Sequence, residues 1–424
     1  KIKNSHGDHD QTTYLLANPD FCHYRNIEMK IPSELQHLIR VLVPGKLAFL
    51  SSDSWTIEYV KISADADRFN FISSDLHMQY FPFGLDFGPV NLAVVHRFCT
   101  ALASKLARED ERMLVYCFEE GSEDRANACF LLGAFLMLHF GRTAQEASAA
   151  FSPSECGFSL QSFRDCTRSS ESYELLLEDC LEGLARACEL EWFNLKTFDA
   201  KAYLALGKVQ GGDIHEICPK FVAFKGPLSA HHERRLPGEV AHDAAFYGEK
   251  LRGLGVTCVV RLNERDTYDK GGVEAFGIEH HDLYFDDCSC PPDEVVSRFQ
   301  ELCEGHARVA VHCRAGLGRT GTLICAWMMR KYHFTGREII GYIRVMRPGS
   351  ILGPQQEYLV ENEQLFWGMG DPDLAPTKQP ARMAPLAGVM DTEEEREAAR
   401  RRAQENTDAM NRNAAIKAAA GGRR

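Results

Sequence analysis

Two stretches of the chain share the same order of apolar and polar positions. One apolar run begins at Val115 and leads through a polar loop to Arg125, and the other begins at Val311 and leads to Arg319. In both, the Arg opens a longer apolar segment that ends, at the same spacing, in a His-Phe pair. A buried strand, a loop and an apolar helix produce this order. We therefore predict two related α/β domains.

A leucine-rich segment lies between these two stretches. Residues 173–193 place their apolar side chains at helical spacing in a broad stripe, which is typical of a helix packed on more than one side. We predict a connecting helix that is buried between the domains. Residues 256–262 and 308–311 have the apolar runs of buried strands. Strands that alternate with helices indicate, in each domain, a central mostly parallel sheet flanked by helices.

These patterns predict four regions. An N-terminal domain covers residues 1–160, a linker helix region covers 161–208, and a second domain covers 209–367. The remaining tail, residues 368–424, contains Pro and small residues followed by Ala, Arg and Glu, with few large apolar side chains. Such a composition buries too little apolar surface to form a domain, so we expect a frayed helix or disorder there.

Charge and hydropathy exclude some classes of partner. The net charge is −12, and because the tail holds ten basic and nine acidic residues, the rest of the chain carries −13. Nucleic acid requires a basic surface, whereas a basic peptide would be compatible with this charge. Since no run of 18 apolar residues is present, we expect no membrane partner either.

The fifteen cysteines have no repeating spacing. A secreted disulfide scaffold would be shorter and denser in Cys, so we predict reduced thiols in an intracellular compartment. Cys288 and Cys290 form a C-x-C pair, but no second Cys/His pair at zinc-site spacing accompanies it. The sequence therefore predicts neither a metal site nor a cofactor.

A Cys separated from an Arg by five residues can form a phosphate loop, and this pattern occurs twice. Cys180 and Arg186 lie inside the leucine-rich segment, where helical N–H groups already bond to carbonyls and cannot bind phosphate. We predict that Cys180 is a core cysteine. Cys313 and Arg319, in contrast, lie between an apolar strand and an apolar helix.

The loop after Cys313 has the composition of an anion-binding nest. Its glycines let the backbone curl so that the N–H groups point inward, and the following helix adds its positive end. The predicted phosphate-binding residues are Arg314, Ala315, Gly316, Leu317, Gly318 and Arg319. The same field stabilises a thiolate, so Cys313 is the predicted nucleophile, and Arg319 supplies a planar fork for two phosphate oxygens.

Three further roles complete a phosphatase. Thr320 can hydrogen-bond the leaving sulfur, and His312 is predicted to orient the loop. A general acid must protonate the departing oxygen, and Asp286 and Asp287, which follow a strand-like segment, compete for that role on spacing alone. A later turn with Gln355 and Gln356 offers amides that could position the hydrolytic water.

Several segments together resemble one enzyme family. Residues 311–322, VHCRAGLGRTGT, look like the phosphate loop of dual-specificity phosphatases, and with residues 347–356, RPGSILGPQQ, they resemble the cell-division-cycle-fourteen, or mitotic-exit, phosphatases. Further matching segments occur at residues 80–92, 163–165, 177–181 and 220–227. The resemblance covers about residues 20 to 367 and implies two tandem phosphatase-like domains, the first without catalysis.

The sequence agrees with an inactive first domain. The loop after Cys117 is two residues too long before Arg125, and four acidic side chains in it would repel phosphate. The resemblance also places the family's acid on Asp287. There the family's Asp-Gly-Ser-Thr-Pro becomes Asp-Cys-Ser-Cys-Pro, so that Cys288 replaces a glycine.

The resemblance further implies a substrate class and a cellular setting. The family prefers phosphoserine followed by Pro and then a basic residue, bound in an acidic groove between its domains. Candidate groove residues are Glu171, Glu174, Asp179 and Glu182. The expected partners are phosphorylated proteins with basic residues near the site. The expected locations are the nucleus, the cytoplasm, and the centrosome or basal body.

Two alternatives remain open from the sequence. A phosphoinositide phosphatase would share the chemistry. Recognition of a phosphorylated inositol would favour extra Lys in the loop, whereas here Ala315 and Leu317 stand beside the lone Arg314. A phosphopeptide-binding pseudophosphatase would keep the pocket but lose the Cys, the Arg or the acid, and none of these is missing here.

Overall fold

The computed structural model describes residues 36–73, 80–108, 112–167, 173–229 and 240–369. Glu171 and nearly all of the predicted tail lie outside this part of the chain. The chain forms two compact units, of which the first comprises Lys1–Ser74 with Leu106–Glu120 and the second comprises Asp75–Lys105 with Gly121–Arg424. The domain boundaries predicted from the sequence remain a prediction.

The first unit is built on a four-stranded sheet. Its strands are β1 (Ile39–Val43), β2 (Leu47–Ser52), β3 (Phe69–Ser73) and β4 (Met113–Glu119), in the order β1-β2-β4-β3. Strand β1 runs antiparallel to β2, while β2, β4 and β3 are parallel. Helix α1 (Ser54–Ser63) follows β2 and begins at Asp53, whose side chain accepts a hydrogen bond from the Thr56 amide.

The second unit is built on a five-stranded sheet. Its strands are β5 (Ile214–Glu216), β6 (Phe221–Phe224), β7 (Cys258–Arg261), β8 (Glu279–Asp282) and β9 (Val309–His312). Their order is β5-β6-β9-β7-β8, with β5 antiparallel to β6 and the other four strands parallel. All four residues of each of the strands β6, β7 and β9 are buried, as expected for strands covered on both faces.

Helices make up most of the rest of the second unit. They are α2 (Leu92–Leu106, which ends at the first unit), α3 (Ser122–Phe140), α4 (Ala144–Ala149), α5 (Pro153–Cys156), α6 (Leu177–Glu189), α7 (Ala200–Gly207), α8 (Ala244–Gly253), α9 (Gly271–Glu274), α10 (Asp293–Gly305), α11 (Gly318–Tyr332), α12 (Gly336–Met346), α13 (Gln355–Glu361) and α14 (Glu363–Gly368). Within the described residues, no helix is both long enough and apolar enough to cross a membrane.

The two sheets share one strand pattern. Each has an antiparallel edge strand, then a parallel neighbour, then the strand that contains Cys117 or leads directly to Cys313. The order β1-β2-β4-β3 of the first sheet therefore corresponds to β5-β6-β9-β7 of the second. This pattern confirms the predicted fold class of two α/β domains with mostly parallel central sheets.

The helix predicted within residues 173–193 is present as α6, and it is shorter than the apolar pattern suggested. Leu175 forms an antiparallel bridge with Phe163, so the helix begins only at Leu177. Helix α6 packs against both α3 and α12. Its contact with α12 is unusually close, because a Cβ atom at Gly183 would overlap the Glu338 carbonyl and one at Gly341 would overlap the Asp179 carbonyl.

We predict that Gly341→Ala destabilises the protein by about 1–3 kcal/mol, because its methyl group would force α6 and α12 apart. Thermal or denaturant unfolding of the full chain measures this loss. Gly253→Ala is the matched control, since no heavy atom lies within 4 Å of the Cβ position at this helical glycine. Equal stability of the two variants would contradict a tight contact between the helices.

Candidate active site

The cysteine loop lies at the carboxyl end of the central strand β9. Cys313 directly follows β9 and is buried, and α11 begins five residues later at Gly318. A parallel sheet gathers such loops at one edge, and the following helix directs its positive end toward the loop. The sequence-predicted phosphate-binding residues, 314 to 319, are therefore brought together around one point.

Every carbonyl of this loop is held by a group outside the pocket. The Cys313 carbonyl accepts from His312 Nδ1 at 2.9 Å, and the Arg314 carbonyl accepts from the Gly226 amide at 3.0 Å. The carbonyls of Ala315 and Gly316 accept from Arg347, and that of Leu317 accepts from the Gly321 amide. Because a trans peptide N–H points opposite to its C=O, the loop amides face inward. This arrangement is a nest for a phosphate group.

Gly316 is required for this curl. Its φ is +71°, a conformation that L side chains rarely adopt, and a Cβ atom there would overlap the Phe224 carbonyl. The loop therefore packs its backbone directly against the end of β6.

Arg347 braces the outside of the loop. Its Nε donates to the Gly316 carbonyl at 2.8 Å and its Nη2 donates to the Ala315 carbonyl at 3.1 Å. The third nitrogen, Nη1, contacts the Asp213 carboxylate at 2.7 Å and His215 Nδ1 at 2.7 Å. Burial and the Arg347 charge hold the pKa of His215 well below its usual value, so its ring is neutral and can accept this bond.

Arg319 presents one edge of its guanidinium to the pocket. Its Nη1 donates to the carbonyls of Phe285 at 2.9 Å and Leu262 at 3.2 Å, which anchors the buried side chain. Its Nε lies 3.1 Å from Asp287 Oδ1. The Asp287 carboxylate is 65% exposed, so it reaches the pocket from a surface loop. Because Nη1 is occupied, Nε and Nη2 form the edge of the guanidinium that can bind phosphate oxygens.

The structure separates the two competing acids. Asp286 accepts a hydrogen bond from the Tyr284 hydroxyl at 2.9 Å, whereas Asp287 contacts Arg319. Asp287 therefore lies at the phosphate-binding arginine, as a group that protonates the leaving oxygen must. Cys288, which follows it, has φ +59° and thus occupies the conformation that a glycine adopts easily.

The two glutamines also have different surroundings. A Cβ atom at Gly318 would lie 2.8 Å from Gln355 Oε1, and Gln355 Nε2 donates to the Ser289 carbonyl of the acid loop at 3.0 Å. Gln355 thus lies between the phosphate loop and the acid loop. Gln356 instead donates to Asp165 and Gly353 and accepts from Arg344. The geometry favours Gln355 for water positioning and gives Gln356 a bracing role.

Thr320 and His312 complete the pocket. The Thr320 hydroxyl is buried, and no hydrogen-bond partner for it is present in the described part of the chain, so it is available to the leaving sulfur. His312 Nδ1 must carry a proton because the Cys313 carbonyl can only accept. Burial lowers the pKa of His312 to about 3, so its Nε2 is an unprotonated acceptor.

A buried chain of polar groups extends from His312. The Tyr268 hydroxyl lies 2.7 Å from His312 Nε2 and 2.7 Å from His280 Nε2. Since its single proton goes to His312, His280 must donate from Nε2. Burial lowers the pKa of His280 to about 4, so this ring is neutral too. The chain fixes the His312 tautomer, which agrees with an orienting role rather than a base.

The three groove candidates within the described residues have different surroundings. Asp179 is buried, accepts from the Leu176 amide and pairs with Arg337 at 2.7 Å, so its charge is already paired with a cation. Glu182 accepts from Gln145, and burial followed by the Glu338 charge raises its pKa to about 7. Glu174 is exposed, and Glu171 lies outside the described residues.

The other two cysteines considered from the sequence, Cys117 and Cys180, are buried within regular elements. Cys117 lies within strand β4 and is buried, and Arg125 lies in α3 with its guanidinium 4.3 Å from the centre of the Phe158 ring. Cys180 is fully buried within α6, as predicted for a core cysteine.

Three positions near the pocket could not be assigned a role from the sequence. Arg347 and Asp165 belong to segments that resemble the family, and Tyr268 belongs to none of them. Asp165 accepts from the Gly353 amide at 2.5 Å and from Gln356 Nε2 at 3.2 Å. These partners lie far away in sequence, so no local spacing could have revealed the contacts.

Comparison with known proteins identifies similar chains. A family model described as "Dual specificity protein phosphatase, N-terminal half" matches residues 41–187, and one described as "Dual specificity phosphatase, catalytic domain" matches residues 242–364. The mouse "Dual specificity protein phosphatase CDC14A" is 40% identical over 311 residues, which cover 71% of this chain and 50% of that protein. The human "Dual specificity protein phosphatase CDC14C" is 35% identical, with coverage of 72% and 68%.

A more distant relative matches over the same extent. The Schizosaccharomyces pombe "Tyrosine-protein phosphatase CDC14 homolog" is 34% identical over 307 residues, which cover 70% of this chain and 56% of that protein. The chain spans about half the length of the mouse and human CDC14A proteins that it matches.

We predict that Asp287→Asn slows the turnover of alkyl phosphates on the order of 10²-fold or more, and that of aryl phosphates much less. An alkoxide needs the proton, whereas a phenoxide leaves with less help. Steady-state kinetics on phosphoserine and on a small aryl phosphate measure the difference. Asp286→Asn is the matched control and keeps both activities. If Asp286→Asn showed the discrimination instead, the acid would be the neighbouring residue.

Proposed function

The chain belongs to the CDC14 family of dual-specificity protein phosphatases, and from this premise we propose that it hydrolyses phosphoserine, phosphothreonine and phosphotyrosine in proteins. The observation that carries the proposal is the convergence of Cys313, Arg319 and Asp287 on one pocket whose backbone amides all point inward. Such a pocket fits a tetrahedral dianion on the end of a side chain.

In the first step, the loop amides and the Nε–Nη2 edge of Arg319, whose Nε is paired with Asp287 before substrate binds, bind three phosphate oxygens. The Cys313 thiolate attacks phosphorus, the bond from phosphorus to the substrate oxygen breaks, and Asp287 gives its proton to that oxygen. A phosphocysteine and a free hydroxyl group result. The protein contributes position and fixed charge, which dominate phosphoryl transfer.

In the second step, a water attacks the phosphocysteine while the Asp287 carboxylate takes its proton. Gln355 lies between the acid loop and the phosphate loop, where it can hold that water. The sulfur–phosphorus bond breaks, and the unpartnered Thr320 hydroxyl donates a hydrogen bond to the thiolate as it forms. Inorganic phosphate then leaves, and Asp287 is again protonated for the next cycle.

We predict that Cys313→Ser abolishes turnover but keeps phosphate binding, because the amides and Arg319 remain in place. Turnover of an aryl phosphate and titration with inorganic phosphate by calorimetry measure the two properties. Cys180→Ser, which alters the other Cys–Arg pair, keeps its turnover. Hydrolysis above about one percent of wild type by Cys313→Ser would rule out the thiolate mechanism, and no turnover by the wild type would favour a binding-only scaffold.

The proposed substrate preference is a phosphoserine-proline pair followed by Lys or Arg. The charge of −13 outside the tail supports it, as does the exposed Glu174. Since Asp179 is paired with Arg337, the attraction must come from fewer carboxylates than the sequence suggested. The proposed setting is cell-cycle or cell-division control, in the nucleus or cytoplasm and at the centrosome or basal body.

We predict that a Lys after the phosphoserine-proline pair improves kcat/KM several-fold over its Ala variant, since exposed charge pairs give about 0.2–1 kcal/mol each. The advantage shrinks as salt rises to roughly 0.5 M, where charges are screened over a few ångströms. Peptide competition assays measure it.

A triple variant, Glu171→Gln, Glu174→Gln and Glu182→Gln, flattens this preference and spares small aryl phosphates. The control is Glu301→Gln, an exposed carboxylate of α10 outside the candidate set. An unchanged preference in the triple variant would place the groove elsewhere, and equal effects of both variants would indicate a general charge effect.

A further inference from the structure

A second group of reactive side chains lies at the end of the five-stranded sheet where its parallel strands begin. Cys313 follows the other end. Cys258 opens β7, His281 lies in β8, and His306 lies between α10 and β9. One sulfur and two ring nitrogens from these residues all lie within 4.8 Å of one another. A single carboxylate oxygen, Glu279 Oε2, lies 3.4 Å from His281 Nε2 and 3.6 Å from His306 Nε2.

Strand register explains this convergence. Cys258 pairs with Glu279 across β7 and β8, so their side chains lie on the same face of the sheet. His281 is two residues after Glu279 and therefore lies on that face too. Parallel strands begin at the same end of a sheet. His306 lies three residues before β9, so it reaches that end as well. Three separate segments thus deliver Cys258, His281 and His306 to one cluster, with the Glu279 carboxylate beside the two histidines.

We propose that this end of the sheet binds one Zn²⁺ ion, with Cys258, His281 and His306 as ligands and Glu279 as the fourth. Thiolate and imidazole donors suit zinc and disfavour magnesium and calcium, which take oxygen ligands. Zinc bonds of about 2.0–2.3 Å in a tetrahedron separate ligand atoms by roughly 3.3–3.8 Å. The present cluster is slightly wider, so the ion would draw its ligands together.

Exposure of the side chains permits that contraction. Cys258 is fully buried and fixed by the sheet, whereas the His281 and Glu279 side chains are 31% and 67% exposed. The two mobile groups can therefore close on an ion that enters from solvent. The thiolate and the carboxylate together balance the charge of Zn²⁺. Lys220 is the nearby cation, and its ammonium donates to the carbonyls of Cys303 and His306, which offsets part of its charge.

The proposed site is structural rather than catalytic. The four residues of β9 separate this end of the sheet from Cys313. At about 3.3 Å per residue, that separation is roughly 13 Å. An ion there cannot touch the substrate phosphate. It would instead join the starts of β7 and β8 to the segment that leads into β9, and so stabilise the strand that carries the nucleophile.

Titration of the full chain with Co²⁺ tests the proposal, because tetrahedral cobalt with a thiolate ligand has a charge-transfer band and intense visible bands. We expect one equivalent of Co²⁺ to produce both, and Zn²⁺ to displace it. Cys258→Ser loses the charge-transfer band, and His281→Gln and His306→Gln each weaken Co²⁺ binding at least tenfold. Zn²⁺ raises the melting temperature of the wild type by several degrees and that of these variants by much less.

Matched controls separate this site from other thiols and imidazoles. Cys313→Ser and Cys288→Ser keep the cobalt bands, and so does a variant with His6→Gln and His9→Gln near the start of the chain. Since His281 is partly exposed, His281→Gln retains turnover of an aryl phosphate, which shows that it is folded. The proposal fails if the wild type gives no thiolate band, or if the band survives in Cys258→Ser or in the His281→Gln, His306→Gln double variant.

Discussion

The geometry of the pocket depends on one buried positive charge. Arg347 is almost completely buried, and a buried charge is costly unless it is paired and fully hydrogen-bonded. Its partners are the Asp213 carboxylate, the neutral His215 ring and two carbonyls of the phosphate loop. The charge is satisfied only when those carbonyls point away from the pocket. The same requirement turns the loop amides toward the site where phosphate would bind.

Residues outside the pocket therefore position the phosphate loop and Gln356. Helix α12 ends at Met346, so Arg344 and Arg347 lie at its carboxyl end, and Arg344 holds Gln356 and the carbonyls of Ser350 and Ile351. The glycine contact between α6 and α12 sets where that end lies. The Asp179–Arg337 pair adds a second link between the same two helices. A residue at the α6–α12 contact can thus influence the pocket without touching a substrate.

The acid loop shows where the chain departs from the pattern of its family. Cys288 takes a positive φ at the position where the resemblance leads one to expect glycine, so the loop adopts the expected path at some cost in strain. The contact between Asp287 and Arg319, together with the bond from Gln355 to Ser289, holds the loop at the pocket. Fewer backbone conformations are open to Cys288 than to glycine, which should make the loop stiffer.

The sequence by itself determined the fold class, and it predicted a helix at the position of α6 and a phosphate loop from Cys313 to Arg319. These features are local, because a strand, a glycine-rich loop and an apolar helix leave a continuous pattern, and that pattern also distinguished Cys313 from Cys180 in its helix. Spacing could not decide between Asp286 and Asp287, and it gave Gln355 and Gln356 the same role, since neighbouring residues differ only in their distant partners. It could not show that Asp179 pairs with Arg337, because nothing near Asp179 in sequence reveals that partner. The bracing by Arg347, the contact of Asp165 with Gln356, and the Cys258–His281–His306 cluster were decided by the tertiary structure alone. Each joins residues that become neighbours only when strand order and helix packing bring separate segments together.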